Sequence, residues 1–237
     1  MRKFTLVVLA LLASACSAIT PAQMRLPQSL ADQSARMPVE GIGGWRSGRF
    51  RTGPYIGNYD RSEERLAFFF DTLIRNSGHS SFVIEGPGIS SNIEAECRMR
   101  ERVLDFGIVE FTPRRMAYRC EFTAAGRSMP ARFELQEVRS GLGGMLNRRE
   151  RRGEIALGGE TVQIRSVHKL VGSPIEMANP IGYVFEQYGQ PVGAVEVNGS
   201  PVIYLGQRND EGLSRTITIG AMALAIFWDP ANSALAD

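Results

Sequence analysis

The sequence predicts a mainly β domain, a barrel or sandwich of about a dozen short strands with one enclosed helix near the C-terminus. Two observations carry this. From Gly41 onward, short runs rich in β-branched and aromatic residues alternate with Gly, Pro, Asn and Asp. Residues 217–228, ITIGAMALAIFW, contain no charge at all, so a helix there has no face suited to water.

The chain opens MRKFTLVVLALLASAC. Arg2 and Lys3 precede the unbroken apolar residues 4–12, and Ala13, Ser14 and Ala15 lead to Cys16. This order is that of a secretory signal peptide, residues 1–15, which takes no part in the fold. Its apolar part falls far short of the roughly 20 residues that cross a bilayer. The stretch before Cys16 resembles the bacterial lipobox, which implies a diacylglycerol on Cys16, and Ser17 in place of Asp implies transport to the outer membrane, facing the periplasm. Ala13 stands where that motif usually has Leu, with Leu12 one place further back. Ordinary cleavage after Ala15, leaving a released periplasmic protein, is the alternative.

Three cysteines in an exported chain leave one odd thiol. Lipid on Cys16 accounts for it and leaves Cys97 and Cys120 to pair in an oxidising compartment. Of the 27 Lys and Arg, Arg2 and Lys3 depart with the signal, leaving 25 cations against 25 acids. A neutral mature chain has no global field to attract nucleic acid. The expected partners are the membrane, through the N-terminal lipid, and another envelope protein.

Residues 16–40 are polar, hold Pro21, Pro27 and Pro38, and show no sustained period; they read as a flexible tether. A single domain follows over residues 41–230. Candidate strands cover 45–51, 65–73, 80–85, 93–102, 106–111, 115–123 and 131–138, then 153–157, 161–167, 181–187, 192–197 and 202–205. In MAYRCEF, Met116, Tyr118, Cys120 and Phe122 share one face. The expected Cys97–Cys120 bridge joins two of these strands, with 106–111 between them. Residues 139–153, RSGLGGMLNRRERRG, break the pattern. Arg148, Arg149, Arg151 and Arg152 form a basic turn suited either to an anionic surface such as lipid headgroups or to plain solvation, offset by Glu150 and Glu154.

The uncharged run at 216–228 is expected to be helical, because Ala, Met and Leu dominate it. At about 18 Å it is too short for a hydrocarbon core of about 30 Å. Ile217, Ala221, Leu224 and Trp228 form one stripe while Ile219, Met222, Ala223 and Ile226 fill the rest, so it must be covered on all sides. Ser214 and Thr216 are candidate caps, and Pro230 stops the helix at Asp229. Residues 231–237 form a tail.

This order of elements, with PIGYVFEQYGQPVGAVEVNGSPVIYL and AMALAIFWDP as its closest stretches, resembles the tubby-like family, which includes the phospholipid scramblases and LURP-one-related proteins. The resemblance implies a closed antiparallel barrel of about twelve strands around a buried hydrophobic C-terminal helix. The lysine-rich phosphoinositide site of tubby and the calcium-ligand run and extra membrane-spanning helix of scramblases have no counterpart in this sequence, so their activities are not carried over. The alternative is a lipocalin-like barrel, suggested by Gly43-x-Trp45, in which the helix would pack outside and be amphipathic. In either fold Trp45 is expected in the core or as a barrel plug.

No catalytic pattern stands out. His79 and His168 are isolated, which does not suit a zinc site. His79, Ser80 and Ser81 lack a nucleophile elbow, and neither GIGG nor GLGG opens a phosphate-binding helix. Asp71, Glu96, Glu101 and Asp105 read as partners of cross-strand arginines on a wet face. The expectation is a non-catalytic envelope lipoprotein without cofactor or metal, the alternative a carrier of apolar small molecules.

Overall fold

The computed structural model describes residues 22–68, 73–105, 110–138 and 148–229; Cys16, the signal sequence and the tail at 231–237 lie outside them. The strands are β1 Ser34–Pro38, β2 Ser47–Thr52, β3 Tyr55–Phe68, β4 Leu73–Glu85, β5 Ile93–Asp105, β6 Glu110–Ala124, β7 Arg127–Glu137, β8 Arg151–Leu157, β9 Glu160–Val167, β10 Gly182–Gln187, β11 Gln190–Glu196 and β12 Val202–Gly206. A short helix, α1 Gln28–Asp32, precedes them and α2 Glu211–Ile226 follows.

All twelve strands belong to one sheet, in which β2 to β12 pair in chain order and β1 adds to β12. Every pairing is antiparallel. Just past β1, the backbones of Glu40 and Arg51 exchange hydrogen bonds of 2.8 and 3.1 Å, and the Thr52 hydroxyl donates to the Met37 carbonyl at 3.3 Å. The barrel is thereby nearly closed, as the sequence suggests.

Several boundaries differ from the sequence expectation. Of the strand expected at 106–111, residues 106–109 lie outside the described residues and 110–111 open β6; β5, which runs to Asp105, pairs directly with β6. Cys97 and Cys120 therefore face each other on neighbouring strands and form a disulfide. Residues 65–73 straddle β3 and β4, and most of β3 escapes the pattern because Gly57, Arg61 and Glu63 share its inward parity with Tyr55 and Tyr59.

Residues 22–40 are not a loose tether. Met24 bridges to Leu170, and its N–H donates to Glu196 Oε1 at 2.8 Å. Met24 and Leu30 of α1 then cover Val184 and Ala194, outward-facing apolar residues of β10 and β11. The chain climbs the outer wall before entering the sheet as β1. That strand is half exposed and held by backbone bonds to β12, so it carries no apolar period.

Helix α2 begins before the predicted 216. The Asp210 carboxylate caps it, accepting from Leu213 N at 2.8 Å. The candidate caps Ser214 and Thr216 lie within the helix, where the Thr216 hydroxyl bonds the Gly212 and Leu157 carbonyls at 2.9 and 3.3 Å. The helix ends at Ile226, so Trp228 lies beyond it.

Residues Thr216 through Ile226 are all buried. Fully covering Ile217, Ile219, Met222, Leu224 and Ile226 contributes roughly 1.5–3 kcal/mol each. The wall comes close where it carries glycine. A Cβ on Gly193 of β11 would sit 2.8 Å from Ile217, and one on Gly220 of α2 would sit 3.1 Å from Phe185. On β6, the Tyr118 hydroxyl donates to the Ala223 carbonyl at 3.0 Å. Tyr118 has spent its only proton there, so the Ser80 hydroxyl, 2.7 Å away, donates to it. Burial pushes the Tyr118 phenol well above its ordinary range. The helix thus lies inside the barrel, which excludes the lipocalin-like arrangement. Among the described residues no helix is long and apolar enough to cross a membrane.

Tyr118→Phe keeps the ring, stacked on Phe227 at 4.4 Å, but strips the Ala223 carbonyl and Ser80 of their partner. We expect it to lower unfolding free energy by about 1–2 kcal/mol in urea titration; an unchanged midpoint would show the bond to be dispensable.

Candidate functional site

The end of the barrel where α2 finishes, here called the mouth, gathers the buried charges. Strand parity explains this. Along β5, Cys97, Met99 and Glu101 point inward; along β7, Phe133, Leu135 and Glu137; along β8, Arg151, Ile155 and Leu157. The apolar members surround α2, and the charged ones lie at its C-terminal end, where the last carbonyls carry partial negative charge.

Arg151 is 1% exposed. Its guanidinium forms a fork with Asp229, at 2.7 and 2.9 Å, and donates to the Tyr183 hydroxyl at 3.1 Å. Arg61 donates to the Trp45 carbonyl at 3.1 Å and to the Gly43 carbonyl. Its guanidinium also lies 4.6 Å from the Trp228 ring centroid. Glu101 accepts from Asn76 at 2.8 Å and from Arg149, which also donates to Glu137 at 2.8 Å. A cleft of about 470 Å³ opens here, lined by Arg61, Arg151, Tyr183, Leu224 and Trp228 among others.

The basic turn of the sequence is therefore largely consumed from within. Arg151 is buried against Asp229, Arg149 is shared by Glu101 and Glu137, and Arg148 bridges Glu150 and Glu176. Only Arg152 keeps an exposed guanidinium, and it bonds Glu150 at 2.8 Å. These four arginines do not form the open cationic face that their spacing suggests. The other candidates divide similarly. Glu101 faces inward rather than toward water, and Asp71 and the Asp105 side chain lie outside the described residues. Among the described residues, the expected cross-strand pairing of opposite charges fails in the middle of β5 and β6, where register sets Arg98 opposite Arg119 and Glu96 opposite Glu121. They hold between β6 and β7, where Arg119 pairs with Glu134 at 2.8 Å.

One hydrogen-bonded chain left no trace in the residue order. The Arg151 amide donates to the Ser166 hydroxyl at 2.9 Å, Ser166 lies 3.0 Å from His168 Nε2, and His168 Nδ1 lies 2.9 Å from the Met177 carbonyl. A carbonyl only accepts, so Nδ1 carries the proton and Nε2 accepts from Ser166. The spacing matches a nucleophile and its base, but both side chains are buried and the ring is oriented by a neutral carbonyl rather than a carboxylate. The pair is a structural clasp for the β9–β10 connection. Among the described residues, no group of His, Cys, Asp and Glu is arranged to hold a metal ion.

Trp45 is not a plug. It is 77% exposed, on the connection between β1 and β2 at the mouth. Leu66, Val171, Ile175 and Met177 are exposed at the same end, where β9 ends and β10 begins and where β3 runs past α2. No family model, curated protein or solved structure matches this chain.

Two outcomes are expected. Asp229→Asn leaves the Arg151 charge buried without its counter-ion and should cost about 3–5 kcal/mol, whereas Arg151→Met combined with Asp229→Asn should recover much of that loss in a double-mutant cycle by chemical denaturation. Burial, with Arg148 and Arg151 nearby, lowers the His168 pKa against the opposing pull of Met177 and Glu176. The unfolded chain then takes up this proton first, so stability should fall as pH drops through the ordinary histidine range near 6.5. His168→Gln should flatten that part of the stability–pH curve.

Proposed function

We propose that this chain is a non-catalytic lipoprotein of the bacterial cell envelope. Residues 1–15 are its signal peptide, and Cys16 carries the lipid that tethers it, at the outer membrane and facing the periplasm. The barrel is of the tubby-like kind and binds a membrane surface or an envelope protein with its exterior. The observation that best supports this reading is the filled interior. Helix α2 occupies the barrel and ion pairs line the polar cleft at its mouth, so the interior that a carrier would give to an apolar ligand is taken by protein. The Cys97–Cys120 disulfide suits an oxidising compartment, and the order of twelve strands followed by an enclosed helix agrees with the tubby-like arrangement.

Cells expressing the full chain and fed radiolabelled palmitate should yield a labelled protein that pellets with outer membranes, and Cys16→Ala should abolish both label and pelleting. An unlabelled, released wild-type protein would overturn the tethered reading. Native mass spectrometry should find no apolar cargo in the purified barrel; a stoichiometric bound lipid would favour the carrier.

A further inference from the structure

The described part of the chain starts at the mouth. The Asn198 side chain donates to the Ala22 carbonyl at 2.7 Å, Val171 N donates to the Gln23 carbonyl at 2.9 Å, and Arg25 N donates to the Lys169 carbonyl at 2.8 Å. Cys16 is only six residues before Ala22, a span of at most about 20 Å even when fully extended. A membrane holding lipid on Cys16 therefore lies close to this end of the barrel and cannot reach the opposite one, where α2 begins.

The same end carries most of the unexplained apolar surface. Trp45, Val171 and Ile175 are 77%, 61% and 68% exposed, and Met177 and Leu66 are exposed beside them in the chain connections and strand ends of the mouth. Of this class, among the described residues, only Ile56 and Tyr188 stand at the opposite end. Apolar side chains gathered at one end are costly to leave in water and mark a contact surface, and an indole is well suited to the boundary between headgroups and acyl chains. Arg25, Arg46 and Arg102 are exposed at this end too, with Asp60 and Glu64. The charge is mixed, so the apolar residues supply the main attraction.

We infer that the mouth rim, with Trp45, Val171, Ile175 and Met177 at its contact points, docks on a phospholipid surface, setting the barrel mouth-down on the membrane that holds its anchor. The direction rests on the proposed lipid at Cys16; the apolar rim does not. Docking fixes the orientation of the barrel relative to the membrane. It also turns the arginine-rich outer wall of β5, with Arg98 and Arg100, toward the aqueous side.

The test separates rim from anchor. The chain from residue 16 onward with Cys16→Ala contains every described residue of the barrel but no lipid. It should co-sediment with vesicles of phosphatidylcholine and phosphatidylglycerol, and the emission of Trp45 should shift to the blue and be quenched by brominated acyl chains. Trp228 is the only other tryptophan, so Trp45→Phe should remove the shift. The combined Val171→Asp, Ile175→Asp and Met177→Asp variant should bind about tenfold more weakly or worse. These positions are exposed, so its urea midpoint should stay near that of the parent, which keeps the comparison valid. Absence of vesicle binding by the lipid-free chain, or binding indifferent to the rim variant, overturns the rim even if Cys16 is labelled with palmitate. Rim-dependent binding without label at Cys16 leaves the rim standing and removes the anchor. Cross-linking of the rim to an envelope protein, without quenching by brominated lipid, overturns lipid docking.

Discussion

Everything in this fold follows from an uncharged stretch of helix that has to be covered on every side. From Thr216 to Ile226, α2 offers no face to water, and only a wall that curves fully around it can bury it. The wall meets this demand with inward-facing Phe, Tyr, Ile and Leu, and with glycine where the backbones come closest, at Gly193 and Gly220. Tyr118 then ties the wall to the last turn through the Ala223 carbonyl.

The buried ions are a second consequence of the same helix. Its end leaves carbonyls without intrahelical partners, and the strands around it run on beyond its last turn. Arg61, Arg151 and the Glu101–Arg149–Glu137 group fill that extension. Such pairs contribute little net stability compared with apolar residues of the same volume. What they provide is a specific closure: Asp229 reaches Arg151 only when α2 is fully seated, so the charges report that the core is in place.

Much of this was legible from patterns of period two. The strand-rich character, the enclosed helix and the pairing of Cys97 with Cys120 could all be read from residue order. The buried charges were legible as well, had parity been followed through: Glu101 shares a face with Cys97 and Met99, and Arg151 with Ile155 and Leu157. Reading acids and arginines as surface residues by type concealed this. Other features left no local trace. β1 is held mainly by backbone bonds, α1 is a single turn whose apolar residues answer a patch on distant strands, and Asp210 caps a helix whose first turn contains Glu211 and Gly212. Nor does Trp45 announce its exposure, since tryptophan is far more often found in a core.

The position of α2 in the chain also governs how the molecule comes into being. A ribosome makes this protein from its N-terminus, so all twelve strands exist before the element they are to enclose. Until residues 211–226 emerge, the inward faces of the sheet have nothing to pack against, and β1 waits for β12, its partner from the other end of the chain. Such long-range closure is slow, and the nascent sheet meanwhile exposes both apolar surface and open edges, a state prone to aggregate. A chain stopped before Glu211 would therefore hold a sticky, coreless sheet rather than a smaller barrel, and the arrival of α2 is the event that covers its inward faces.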